Sequence, residues 1–167
     1  CNIGGWTLHS FIGCGYADGP VEQLLKHIKR NPRVVSRWRD TKVLIIDEIS
    51  MIDGILLDKL EEIARNIRNN RSPFGGIQLL LCGDFLQLPP VNKLNSVSIA
   101  FNSKTWDKCI KNTFVLSEVF RQKEQGLINL LNDIRFGKVS DQTNNLLRRL
   151  ARNALVPDGI EPTHLYP

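Results

Sequence analysis

Two adjacent carboxylates, Asp47 and Glu48, follow directly on the apolar run Val43-Leu44-Ile45-Ile46. Four such residues suit a buried strand, and the acids then fall at its carboxyl end. Nucleotide hydrolysis has a use for both. The first acid holds Mg²⁺, usually through water, and the next orients and deprotonates the attacking water. This is the Walker-B pattern, although surface acids after a strand are common and the same residues can be read that way. A second string, Gly83-Asp84-Phe85-Leu86-Gln87-Leu88-Pro89-Pro90-Val91, follows the apolar run Ile77–Cys82. Gln87 on a loop beside the first strand can contact a γ-phosphate and report its loss. Phe85, Pro89 and Pro90 can stiffen that loop and offer surface to bases.

Side chains of this kind need elements that deliver them to one edge. Val43–Asp47 reads as a strand, and Leu56, Leu60, Ile63 and Ile67 form the stripe of an amphipathic helix. Ser72-Pro73-Phe74-Gly75-Gly76 breaks that helix. Ile77–Cys82 is a second strand, delivering Asp84 just past its end, and Pro89-Pro90 stops regular structure. Strand, helix, strand implies a βαβ unit with a parallel sheet, whose ligands bind outside the carboxyl ends of the strands. Upstream, five glycines make the first twenty residues loop-rich around Trp6–Ile12, and Pro20 opens a helix with Val21, Leu24, Leu25 and Ile28 on one face. Downstream, Thr113–Leu116 reads as a further strand. Helix patterns follow at Leu127, Leu130, Leu131 and Ile134, stopped by Gly137 as C′ residue, and at Leu146, Leu147 and Leu150. A lobe boundary falls near residues 108–113.

The chain has 167 residues, 42% of them apolar and 23% charged, an ordinary globular profile that excludes collagen-like, coiled-coil and disordered classes. Its apolar runs are far short of the roughly 18 residues of a membrane span. The net charge of +5 mildly favours a polyanionic partner. Cys1, Cys14, Cys82 and Cys109 show no CxxC spacing and no nearby His pair, so zinc is not expected. Cys82, within an apolar run, is expected to be a buried, reduced thiol. Lys26–Lys42 holds seven Lys or Arg (Lys26, Lys29, Arg30, Arg33, Arg37, Arg39 and Lys42) against one acid, Asp40. That interval is either a solvated face or an electrostatic track for nucleic acid. Trp38 within it is expected to pack rather than stack on a base. His27 and His164 carry no supporting context.

The strings Leu44-Ile45-Ile46-Asp47-Glu48-Ile49-Ser50-Met51, Pro73-Phe74-Gly75-Gly76-Ile77-Gln78, Cys82–Val91 and Val119-Phe120-Arg121-Gln122 resemble the petite-integration-frequency (PIF) family of DNA helicases. These are superfamily-one enzymes that move 5′→3′ on single-stranded DNA using ATP. The opening Asn2-Ile3-Gly4-Gly5-Trp6-Thr7-Leu8-His9-Ser10-Phe11 is similar to the family's motif Ia, a DNA-contacting segment, with Trp6 and Ile12-Gly13-Cys14 looser than its usual pattern. Asp-Glu-Ile-Ser-Met points to the cellular branch, since transposon-borne relatives usually read Asp-Glu-Ala-Pro-Met. The resemblance implies an α/β, RecA-like parallel sheet of the P-loop NTPase type with flanking helices. An incomplete first lobe would occupy residues 1–112, and the start of a second residues 113–167. It implies Asp47 as Mg²⁺ ligand, Glu48 as general base, Gln87 as γ-phosphate sensor and Arg121 as an arginine reaching the phosphate from the second lobe. Thr7 and His9 become candidates for DNA backbone contact, because hydroxyl and imidazole both bond phosphate oxygens. Phe85 and Pro89 are the candidates for contact with bases.

ATP and Mg²⁺ are thus the expected cofactors. Single-stranded, forked or G-quadruplex DNA is the expected partner, with no membrane role. The implied settings are DNA repair, recombination and telomere upkeep in nucleus or mitochondrion. No Gly-x-x-x-x-Gly-Lys-Ser/Thr phosphate loop occurs, and Ser103-Lys104-Thr105 has no glycines before it. In the family that loop precedes the residues matching Cys1-Asn2-Ile3. The sequence is therefore expected to be an excerpt from a longer protein, hydrolysing ATP negligibly by itself. Two other readings stay open: a transposon-encoded helicase, and a decayed, non-catalytic DNA-binding module.

Overall fold

Strands β1 (Val43–Ile46) and β2 (Gln78–Leu81) pair in parallel, with Val43 opposite Gln78 and Ile46 opposite Leu81. The pairing runs on past both strand ends. Gln78 N–H donates to Lys42 O, Cys82 N–H to Ile46 O, and Ile49 N–H to Cys82 O, each at 2.9 Å. A parallel pair needs a crossover, and α4 (Gly54–Arg68) supplies it. The computed structural model describes residues 4–91 and 98–150, and these fall into two units that divide between Val115 and Leu116.

The first unit is built around α4. Leu57, Leu60, Ile63, Ala64 and Ile67 are buried at the expected helical spacing, and the Asp53 carboxylate caps the helix by accepting the Ile55 N–H. Against this stripe lie α2 (Val21–Lys29) through Leu24 and Ile28, α3 (Pro32–Asp40) through Val34 and Trp38, and β1 through Leu44 and Ile46. Helix α3 is not anticipated by the apolar pattern. Its start is nonetheless written in the sequence: the Asn31 side chain accepts the Arg33 N–H, and Pro32 occupies the first turn, where no N–H is needed. The indole of Trp38 is fully buried and donates to Ile12 O in α1 (Leu8–Ile12), so it packs, as expected.

Arg68 fastens this helical layer. Its Nε donates to Gly75 O at 2.7 Å, and its Nη1 lies 2.8, 2.6 and 2.9 Å from the carbonyl oxygens of Trp38, Arg39 and Thr41. The end of α3, the end of α4 and the Pro73–Gly76 turn thus meet at one guanidinium. In that turn Phe74 is buried at φ 52°, and a Cβ on Gly75 would come within 2.7 Å of Ala64 O.

Three expectations need correction. The strands are not buried on both faces: Leu44 and Ile46 face the helices, whereas Val43, Ile45 and Leu80 are exposed, Ile45 by 64%. No described residue of this unit covers that face. Cys82 follows the same alternation and is exposed rather than buried. Thr113–Leu116 forms no strand, because no described segment offers it a partner, and its side chains are exposed.

In the second unit α6 (Gln125–Arg135) and α7 (Asp141–Leu150) appear where the leucine periodicity places them, following the short α5 (Trp106–Cys109) of the first. Gly137, at φ 64°, ends α6 in a Schellman arrangement: its N–H donates to Ile134 O, and the Lys138 N–H to Asp133 O. The hydroxyls of Thr143 and Ser140 both donate to the Asp133 carboxylate, lowering its pKa from the usual range. Among the described residues no helix is long and apolar enough to cross a membrane.

Candidate nucleotide and nucleic-acid site

Where β1 ends, the backbone turns sharply. Asp47 is exposed, and one oxygen of its carboxylate, Oδ1, accepts the Glu48 N–H at 3.0 Å. Glu48 itself is left-handed, at φ 54° and ψ 47°, and its side chain is exposed. That conformation costs a non-glycine residue on the order of 1 kcal/mol or more. The buried Ile49 and Ser50 of the following 3-10 turn, Ile49–Met51, anchor it. The chain thus spends stability to present two adjacent acids beyond a strand end.

The neighbouring loop is fixed to the first. Beyond the hydrogen bond from Ile49 to Cys82, Gly83 lies so close that a Cβ there would meet the Ile49 nitrogen at 2.8 Å. Its φ of 154° is also one that side chains rarely adopt. Asp84 then organises the turn. Its Oδ1 accepts the Leu86 N–H at 3.1 Å, its backbone oxygen accepts the Gln87 N–H at 3.0 Å, and its Oδ2 accepts the Gln87 side-chain N–H at 3.1 Å. One amide hydrogen of Gln87 is therefore used to set the side chain, and the other makes no hydrogen bond among the described residues. Asp84 as the holder of Gln87 is a role that spacing alone does not reveal, although an aspartate at the first position of a turn is its usual signal.

Phe85 is less free than the sequence suggests. Its ring meets Phe101 edge-on at 4.8 Å and lies 6.1 Å from Trp106, leaving it 36% exposed. Pro90 is buried and Pro89 exposed, so the pair anchors the loop with one ring and presents the other.

At the start of the chain, Thr7 caps α1. Its Oγ1 accepts the Ser10 N–H at 3.3 Å and donates to Ser10 Oγ at 2.8 Å, so its hydroxyl proton is spent within the chain. His9 is half-buried, 5.6 Å from the Tyr16 ring in an edge arrangement. Arg37, counted only as part of the basic run, belongs to this segment. It donates to Ser10 O at 3.0 Å and covers the Trp6 ring. Asn2 and Ile3 of the opening string, and His164, lie outside the described residues.

The first unit therefore carries Asp47, Glu48 and Gln87 on two backbone-linked loops, with Thr7, His9, Phe85 and Pro89 in the same unit. Arg121 stands exposed in the second unit. Asp47 suits a hydrated Mg²⁺: its second carboxylate oxygen has no partner among the described residues, and it opens to solvent at the strand end. Among the described residues there is no cluster of three or more His, Cys, Asp or Glu able to enclose a metal.

Residues 1–145 match the model of the PIF1-like helicase family. The chain belongs to that family. Its PIF1-like relatives include the ATP-dependent DNA helicase PIF1 of Candida albicans, 54% identical over 99% of this chain and 20% of that protein. The ATP-dependent DNA helicase RRM3 of Saccharomyces cerevisiae is 52% identical over 98% of this chain and 23% of that protein. Among solved structures, the Pif1 helicase from Candida albicans matches with a TM-score of 0.90 at 56% identity, over 99% of this chain and 38% of that one. The Bacteroides Pif1 helicase in complex with ADP-AlF3 and single-stranded DNA matches with a TM-score of 0.77 at 30% identity, over 94% of this chain and 39% of that one. The α/β packing is thus the RecA-like fold of the PIF1-like helicases. The chain spans about a fifth to a quarter of the length of these two curated relatives.

Proposed function

We propose that this chain is part of the motor core of an ATP-dependent 5′→3′ DNA helicase, which couples ATP hydrolysis to movement along single-stranded DNA. The observation that carries the reading is the backbone union of the two acid-bearing loops. Ile49 N–H bonds Cys82 O at 2.9 Å, and Gly83 packs on the same peptide. Any displacement of the Asp47-Glu48 loop is thereby passed to the loop that holds Gln87.

In this reading Glu48 takes the proton of the attacking water, and Asp47 holds the hydrated Mg²⁺. That ion, when bound, neutralises charge on the transferring phosphoryl group. Gln87, set by Asp84, offers its free amide hydrogen to the γ-phosphate. Arg121 stabilises transition-state charge, a contribution worth about 10³–10⁵ in rate for an arginine so placed. Thr7, His9, Phe85 and Pro89 line the path of the DNA strand. Residues 1–112 belong to the first RecA-like lobe and residues 113–167 to the second. The similar structures of Bacteroides Pif1 bound to single-stranded DNA, and of Pif1 for unwinding at forked double-stranded DNA by two coordinating helicases, support single-stranded and forked DNA as substrates. G-quadruplex unwinding, repair, recombination and telomere upkeep, in nucleus or mitochondrion, follow from the family resemblance.

The test is ATP hydrolysis by the protein at its full natural length, with and without single-stranded DNA, for wild type and Glu48→Gln. DNA-stimulated turnover that falls by roughly 10²–10⁴ in the variant is the expected result. A full-length protein that binds DNA and never hydrolyses ATP overturns the motor reading in favour of a DNA-binding module.

A further inference from the structure

Trp6 has no part in the ATP chemistry, yet its ring is 66% exposed on the segment that leads into α1. It is not loose. The Arg37 guanidinium lies over it, 4.7 Å from the ring centroid, and also 5.6 Å from the Phe11 ring. Arg37 is in turn fixed from α3 by its hydrogen bond to Ser10 O. Trp6 precedes the Thr7 cap and Phe11 sits in the first turn beyond it, the positions of a hydrophobic staple, here bridged by a cation. Just before it, a Cβ on Gly4 or Gly5 would meet no described atom within 4 Å. Because Thr7 donates to Ser10 Oγ, the exposed Ser10 hydroxyl keeps its own proton to give outward, on the same segment.

We propose that Trp6, braced from behind by Arg37, is a stacking platform for one nucleobase of the bound single strand. This rests on the helicase reading above and adds to it a base contact made by a residue that departs from the family's usual motif Ia. An aromatic face accepts any base, which suits a motor that cannot choose its sequence. Bracing matters because a side chain already held in place loses little rotamer freedom when the base arrives. The Ser10 hydroxyl stands ready to donate to an adjoining phosphate.

A plain staple explains the Trp6–Arg37 contact equally well, so the test separates the two roles. Trp6→Leu keeps apolar bulk for the staple and removes the ring; Trp6→Phe keeps a ring. Affinity for an oligo-dT strand is measured by fluorescence anisotropy on the full-length protein at fixed salt. The same strand is then scanned with a single abasic sugar at each position. Trp6→Leu is expected to weaken binding roughly 5- to 150-fold, the range for one lost base stack, and Trp6→Phe to retain most of it. One abasic position should cost the wild type a similar factor and cost Trp6→Leu nothing further. The salt dependence should stay unchanged, since no phosphate contact is lost. If the wild type binds the strand but Trp6→Leu matches it at every abasic position, Trp6 is a staple and the helicase reading stands. If the wild type does not bind single-stranded DNA, both fail together. Should Trp6→Leu not fold, Trp6→Met, which also keeps apolar bulk without a ring, takes its place in the same scan: a wild-type abasic penalty that Trp6→Met shows unchanged at every position overturns the platform.

Discussion

A methyl group on Gly83 would stand 2.8 Å from the amide nitrogen of Ile49 and 3.4 Å from the carbonyl carbon of Glu48. The loop carrying Gln87 therefore rests, backbone on backbone, on the peptide that follows the proposed general base. Gly83→Ala is expected to destabilise the protein by about 1–3 kcal/mol, because neither backbone can retreat without breaking the Ile49–Cys82 hydrogen bond. Urea unfolding measures it, and DNA-stimulated ATP hydrolysis should fall with it. An alanine variant as stable and as active as wild type would remove the proposed mechanical link.

Glu48 sits at φ 54° in the left-handed region. Glycine relieves that strain, at the cost of a more flexible unfolded chain. Glu48→Gly is expected to raise stability by about 0.5–1 kcal/mol while abolishing ATP hydrolysis in the full-length protein. Thermal unfolding alongside an ATPase assay separates the two effects. A destabilised variant would show that the turn is held by something other than its neighbours.

Arg68→Met removes the guanidinium that binds the carbonyls of Trp38, Arg39, Thr41 and Gly75 while keeping apolar bulk. The expected loss is about 2–3 kcal/mol, the upper part of the range for hydrogen bonds to charged groups. Arg68→Lys should recover little of it, since an ammonium cannot reproduce the planar fork. A lysine variant with wild-type urea stability would contradict this.

Cys109 is half-buried. Burial pushes its thiol from the ordinary 9.0 up to about 11, with the nearby carboxylates of Glu61 and Asp58 adding to the rise. The folded state thus holds the proton more tightly than the unfolded chain does. The stability this lends is full below pH 9 and is lost as pH climbs towards 11. Unfolding free energy should fall more steeply across that window in wild type than in Cys109→Ala. Identical slopes would refute it. Since the thiolate is the nucleophile, iodoacetamide at about pH 8 should modify the exposed Cys82 well before Cys109, as read by peptide mass spectrometry.

Strong periodicity made much of this fold legible. The stripe Leu56, Leu60, Ile63 and Ile67 gave α4, the leucines downstream gave α6 and α7, and Gly137 marked the end of α6. The runs before Asp47 and Asp84 gave two parallel strands. Legibility failed where a residue's role depends on something distant in sequence. Apolar runs read as buried strands, but burial depends on what covers each face, and among the described residues nothing covers Ile45 and Leu80. Helix α3 hid because Arg33, Arg37 and Arg39 dominate its composition. At the site, the acids and Gln87 could be named from spacing. The hold of Asp84 on Gln87 and of Arg37 on Trp6 required coordinates, since each depends on where a side chain points.

The parallel pairing of β1 and β2 also constrains the order in which the chain folds. No hairpin can nucleate this sheet; the chain must first close the whole crossover through α4 before Ile46 and Leu81 come alongside each other. The contact between Gly83 and Ile49 lies beyond the end of that ladder, so it forms late. Gly83→Ala should therefore speed unfolding while leaving the refolding rate almost unchanged, a split readable in the two arms of a chevron plot.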